Sequence, residues 1–252
     1  MDQRAIVETH QLSKSYGNQV AVSDLTFSIQ ESEIFGFLGP NGSGKTTTLL
    51  MLLGLTEPTS GWARVANCDP VKEAIKVKKV VGYIPENIGF YDDMDAIENL
   101  KFIARLNNIP DSISSIKIEE ALESVGLKEE AEKKVGAYSR GMRQRLGIAE
   151  IHIKEPSIAF LDEPTLGLDP EGTNRIIEYI QSLSREKNMT ILLSSHDLKQ
   201  VQKISDRIGI MIKGRMIAVG PIEELAKEKL GVDDKEISLD DVYMKYFQEV
   251  SA

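Results

Sequence analysis

The sequence predicts an α/β fold: a mostly parallel sheet, an antiparallel β region at the N-terminus and a helical lobe inserted into the core. Three observations carry this. The run Gly39-Pro40-Asn41-Gly42-Ser43-Gly44-Lys45-Thr46 has the form G-x-x-x-x-G-K-T and sits between an apolar strand-like stretch, 34–38, and an apolar helix-like stretch, 47–53. Further on, apolar runs at 157–162, 190–194 and 207–212 alternate with helical patterns, which implies parallel strands joined by helices. Between them, from Glu86 to about Lys154, the periodicity is helical throughout.

The elements follow in order. Residues 5–13 and 25–29 read as strands, the second alternating apolar and polar side chains, with a turn at 14–18 between them. After the glycine-rich run and its helix, 56–61 is dense in breakers and reads as a loop. Residues 62–66 return as a strand. Asp69-Pro70 reads as the cap and first turn of a helix to about Lys79, and 80–84 as a strand stopped by Pro85. In the helical lobe, Asp95 caps a helix carrying Ile97, Leu100, Ile103, Ala104 and Leu106, a second runs 116–125 up to Gly126, and a third runs 141–154. Beyond the strand at 157–162 come a helix over 170–187, the strand 190–194, a short helix over 198–204, and the strands 207–212 and 215–219 around Lys213-Gly214. The last 30 residues read as two short helices joined by the charged segment 233–236. The resulting organisation is a core of 1–85 and 155–220, an inserted helical subdomain at 86–154, and a helical extension at 221–252.

Composition sets outer bounds. The 252 residues suffice for one sizeable core, and a net charge of −9 argues against a free-standing nucleic-acid binder, which carries a basic face. Cys68 is the single cysteine, so no intrachain disulfide forms, which suits a reducing compartment. The start lacks the apolar core of a signal peptide, and no apolar run reaches the ~20 residues of a membrane span. Action at a membrane therefore calls for a partner that carries the membrane part.

The chemistry concentrates in three places. In the glycine-rich run, successive backbone N–H groups turn inward and the helix N-terminus adds partial positive charge, so the run cradles phosphate. Lys45 reaches the β- and γ-phosphates, and the Thr46 hydroxyl offers a ligand to Mg²⁺. Asp162 ends an apolar strand and is followed by Glu163. If that strand lies beside the one feeding the loop, Asp162 holds Mg²⁺ and Glu163 orients and deprotonates water at the γ-phosphate. His196 follows the next strand and emerges at the same sheet edge, where it can hydrogen-bond a γ-phosphate oxygen. His10 and His152 have no comparable setting and read as structural. The third place is 138–145, a Ser-capped, Gly-containing, basic helix start: an anion site that one chain does not need twice, but that two chains head to tail would use. Taken alone it is an ordinary capped basic helix, and Tyr16 alone is a surface turn tyrosine.

In this order the motifs resemble the nucleotide-binding subunit of ABC transporters across essentially the whole chain. The resemblance implies a P-loop NTPase core in which Gly39, Pro40, Asn41, Gly42, Ser43, Gly44, Lys45, Thr46 and Thr47 hold ATP and Thr46 and Asp162 hold Mg²⁺. Glu163 becomes the catalytic glutamate and His196 the switch histidine. Tyr16 falls where the family stacks a ring on adenine, Asp169 matches the D-loop, and Ser139 and Gly141 the signature. Two positions depart from the pattern. Glu86 stands where the Q-loop has glutamine, and its carboxylate can still ligate Mg²⁺ and face the nucleotide. Arg140 stands where the signature has glycine. Both departures, and the ending 238–243, look like the branch serving drug, antibiotic and lipid exporters. For that ending a plain amphipathic tail is an equal reading. The resemblance implies a second cassette as partner (homodimer or heterodimer), an integral-membrane permease, no nucleic acid, and a cytoplasmic position on the inner face of the membrane. The alternatives are a non-transport ABC ATPase acting on ribosomes or DNA, and a non-catalytic nucleotide sensor.

Overall fold

A computed structural model describes residues 4–230 and 238–251; the start of the chain and the charged segment at 233–236 lie outside the described residues. In chain order the strands are β1 (Ala5–Tyr16), β2 (Gln19–Gln30), β3 (Ile34–Leu38), β4 (Ser60–Val65), β5 (Val81–Ile84), β6 (Ile158–Asp162), β7 (Thr190–Ser195), β8 (Arg207–Ile212) and β9 (Arg215–Gly220). The helices are α1 (Lys45–Leu52), α2 (Ala74–Val80), α3 (Ala96–Leu106), α4 (Asp111–Ser124), α5 (Arg140–Lys154), α6 (Pro170–Lys187), α7 (Leu198–Ile204), α8 (Ile222–Leu230) and α9 (Leu239–Ser251).

Two sheets form. A three-stranded antiparallel sheet has the order β2-β1-β4, and a six-stranded sheet has the order β5-β6-β7-β3-β8-β9, parallel except for β9. The central strands are buried on both faces, and their period-2 alternation splits the core. Phe35 and Phe37 of β3, with Ile158 and Phe160 of β6, join Phe27, Leu49 and Leu52 in the cluster under the antiparallel sheet. Ile34, Leu38, Ala159 and Leu161 face the other cluster, which continues into the helical region through Leu146 and Ile151 of α5. Burying each large apolar side chain contributes about 1.5–3 kcal/mol, so α1 and the loop before it are held between two sheets.

The sheet order corrects one expectation. β6 is not beside β3; β7 lies between them. Elsewhere the differences are local. β1 and β2 run further than expected, pairing Ser15 with Val20 and Tyr16 with Gln19, so the turn shrinks to Gly17 and Asn18. Asp69 does not start a helix: its carboxylate accepts the N–H groups of Val71 and Lys72 in a turn, and α2 starts only at Ala74. α4 begins five residues early, because Pro110 provides its N-cap position.

At α3 both halves of a capping box are present. The Asp95 carboxylate accepts the Glu98 N–H at 2.8 Å, and the Glu98 carboxylate accepts the Asp95 N–H at 2.9 Å. Asp95→Ala is expected to cost about 1 kcal/mol, read as a lower urea midpoint with an unchanged m-value.

Candidate functional site

β3 ends in the buried Leu38 and delivers Gly39 to the C-terminal edge of the sheet. A Cβ on Gly39 would lie 2.3 Å from the Met211 carbonyl, so no side chain fits where the loop leaves the strand. Gly44 turns the chain into α1 with φ +105, a conformation open to glycine and strained for other residues. The Ser43 N–H donates to the Pro40 carbonyl at 3.1 Å, and the Gly214 N–H donates to the Ser43 carbonyl at 3.0 Å, tying the loop to the β8–β9 turn. The N-terminus of α1 then faces the loop with its free N–H groups, an anion cradle.

Lys45 is 6% exposed. Its ammonium donates to the carbonyls of Gly39 at 2.6 Å and Pro40 at 3.3 Å, and Glu163 Oε1 stands 4.0 Å away. Burial pushes its pKa down; Glu163, Asp162 and Glu86 push it back up. The ammonium is thus parked on loop carbonyls, a neutral lodging it can exchange for phosphate oxygens.

The acids meet this loop across β7. The Thr46 hydroxyl donates to Asp162 Oδ2 at 2.7 Å, and the Ser194 hydroxyl of β7 donates to Asp162 Oδ1. Because β7 lies between β3 and β6, it supplies Ser194 as the support that fixes the carboxylate. Ser194 also accepts the Glu163 N–H, at 3.1 Å on its carbonyl and 3.2 Å on its hydroxyl. Glu163 itself has φ +51, a strained conformation that costs a non-glycine residue on the order of 1–3 kcal/mol. Its Oε2 lies 2.9 Å from His196 Nδ1, whose N–H donates to it. Its other oxygen, Oε1, is buried with no hydrogen-bond partner among the described residues. A strained, buried carboxylate with one oxygen held by His196 and the other without a hydrogen bond, 4.0 Å from the Lys45 ammonium, is set up to accept a proton from water. His196, half exposed at 49%, holds that acid.

The oxygen-only donor set of Thr46 and Asp162, with Glu163 adjacent, matches what Mg²⁺ takes from a protein while it keeps several waters.

The expected site residues fall into separate recesses of one chain. Tyr16, Asn41, Gly42, Gly44, Lys45, Thr46, Thr47, Glu86, Asp162 and Glu163 line a cleft of about 490 Å³. Ser43 is buried beneath the loop. Gly39, Pro40 and His196 line an adjoining recess. Ser139, Gly141 and Asp169 do not face that cleft; they line a different recess of about 590 Å³, with Arg140, Arg145 and Arg175. Ser139 caps α5 by accepting the Met142 N–H at 3.3 Å, and Asp169 caps α6 by accepting the Gly172 N–H at 2.7 Å. Two contributors escape sequence reasoning. Ser194 is a hydroxyl at a strand end, a weak signal. Tyr243 of α9 lines the His196 recess, and a helix's docking position is not written in its own periodicity.

His152, read as structural, contacts the Tyr179 hydroxyl, and its ring stacks on Tyr179 between α5 and α6. Burial holds its pKa down.

A phosphate loop, a Thr–Asp pair and a histidine-held acid at the C-terminal edge of a parallel sheet define a nucleoside triphosphatase. The family model described as ABC transporter matches residues 22–166, more than half of the chain, and the chain belongs to that family. Among curated relatives, the bacitracin transport ATP-binding protein BcrA of Bacillus licheniformis is 41% identical over 222 residues, 88% of this chain and 72% of the relative. The linearmycin resistance ATP-binding protein LnrL of Bacillus subtilis (strain 168) is 36% identical, covering 90% of this chain and 73% of the relative. The Nod factor export ATP-binding protein I of Ralstonia nicotianae is 36% identical, covering 94% and 74%. A solved ATP-binding subunit of an ABC transporter superposes with a TM-score of 0.88 at 27% identity, covering 96% of this chain and 99% of that one. The chain is accordingly an ATP-binding, ATP-hydrolysing subunit of an ABC transporter. Among the described residues no helix is long and apolar enough to cross a membrane.

Proposed function

We propose that two copies of this chain close head to tail over two Mg-ATP molecules and drive a separate membrane permease in export. The observation that carries this is the split of the site: Ser139, Gly141 and Asp169 sit in a different recess from Lys45 and Glu163. One chain carries both halves, so two copies build two complete sites. In this reading residues 1–220 form the ATPase unit and 221–252 an extension. The permease holds the subunit at the cytoplasmic face of the membrane. Export follows the roles of relatives such as the Nod factor export ATP-binding protein I; the same relatives do not favour a ribosome- or DNA-acting ATPase.

In the proposed mechanism Lys45 leaves the Gly39 and Pro40 carbonyls for phosphate oxygens, and the α1 N-terminus binds the same anion. Tyr16, exposed on the cleft rim, offers its ring to the adenine. Glu163 Oε1 takes the proton of the attacking water, while His196 holds Oε2 and fixes the carboxylate's direction. Thr46 and Asp162 would hold Mg²⁺, while Glu86 on the same cleft is turned to Arg140; when bound, the ion supplies charge neutralisation at the phosphate oxygens. Ser139 and Gly141 of the second copy close over the γ-phosphate, adding positioning and charge stabilisation.

The purified chain should release phosphate from ATP, and chelating Mg²⁺ should abolish that release. Nucleotide binding without phosphate release would instead favour a non-catalytic sensor.

A further inference from the structure

Glu86 and Arg140, the two departures from the motif pattern, meet in the fold. Arg140 Nη2 stands 3.5 Å from Glu86 Oε1, with both side chains about half exposed. The pair links elements that otherwise serve different recesses: Glu86 follows β5 on the rim of the Lys45 cleft, and Arg140 opens α5 beside Ser139. The stem of Arg140 lies over Gly167, where an added Cβ would fall 3.1 Å from Arg140 Cδ. The backbone below is closely packed, since a Cβ on Gly147 of α5 would fall 2.4 Å from Ile88 Cδ1. Gln144, one turn after Arg140, is buried and lines the recess shared by Glu86 and Arg140. Its amide nitrogen has no hydrogen-bond partner among the described residues. α5 therefore offers the Glu86 carboxylate a cation. On its other side Glu86 lines the same cleft as Lys45.

We propose that Arg140 is a positioning residue for Glu86: it draws the carboxylate toward α5 and away from the γ-phosphate position, and so preserves a preference for ATP over ADP. The inference rests on the nucleotide-site reading above. An unheld carboxylate on the cleft rim repels ATP more than ADP, because ATP carries the additional phosphate. A half-exposed ion pair shifts an equilibrium by less than about fivefold, which is weak enough for movement of α5 to break. The contact thereby makes the charge facing the nucleotide depend on where the signature helix lies.

Titration of the full chain with Mg-ADP and with a Mg-bound non-hydrolysable ATP analogue tests this. Arg140→Gln should lower the preference for the ATP analogue by about two- to fivefold, and Arg140→Lys should largely restore it. The loss should shrink at about 1 M salt, where screening is strong. In a Glu86→Gln background, Arg140→Gln should change the preference no further. Equal losses in both backgrounds, or no loss in either, would overturn the link between Arg140 and Glu86. Failure of the unaltered chain to bind either nucleotide would instead overturn the nucleotide-site reading beneath it.

Discussion

Glu163→Gln is expected to bind Mg-ATP with near-normal affinity and to hydrolyse it about 100- to 10,000-fold more slowly, the span that general-base catalysis supplies. The two oxygens of Glu163 are in different surroundings. Oε2 is held by His196 at 2.9 Å, and Oε1 is buried without a hydrogen-bond partner among the described residues, the Lys45 ammonium standing 4.0 Å away. An amide preserves the shape and keeps an oxygen that can accept a hydrogen bond, but it has no carboxylate to take a proton. The strained backbone at φ +51 should persist, because the N–H of residue 163 is fixed by Ser194 regardless of the side chain. Single-turnover phosphate release, measured beside ATP binding, separates chemistry from affinity. A variant that turns over at the unaltered rate would remove Glu163 as the base.

Lys45→Ala should act on the other quantity. Lys45 is a nearly buried cation with a carbonyl contact at 2.6 Å and Glu163 at 4.0 Å. Truncating one member of a buried charged contact to a ligand costs about 2 kcal/mol or more, some 30-fold in affinity. The loss should exceed that of any single residue on the cleft rim, because rim contacts such as Tyr16 stay solvated. Equilibrium binding of ATP reads it directly, with the unfolding midpoint followed in parallel to show that the fold is retained. Undiminished ATP affinity would contradict the role given to Lys45.

Local chemistry made much of this molecule legible. α6 and α7 match their expected spans because Asp169 precedes Pro170 and Asp197 precedes Leu198, and both acids cap their helices in the structure. β8 and β9 were legible from two apolar runs around Lys213-Gly214. Strand order was not, because it is set by long-range packing. Nothing in residues 158–162 says that β7 will lie between them and β3. That non-local fact is what brings Ser194 to Asp162 and to the Glu163 backbone. The candidate site was legible as a set of residue types at fixed spacings, whereas its partition into separate recesses required three dimensions. The Glu86–Arg140 contact spans 54 positions (140 − 86), and each residue alone reads as a surface charge. Tyr243 falls in the second of the two C-terminal helices expected from the sequence, but its place beside His196 depends on how α9 packs against α7 and β8.

The central claim is that this chain supplies half of each ATP site and a second copy supplies the rest. Sedimentation velocity of Glu163→Gln, with and without Mg-ATP, tests it most directly. A monomer is expected without nucleotide, a dimer with Mg-ATP, and loss of that dimer when Ser139→Phe is added, with ATP binding retained. A Glu163→Gln chain that binds Mg-ATP yet stays monomeric, or whose dimer survives Ser139→Phe, would contradict it.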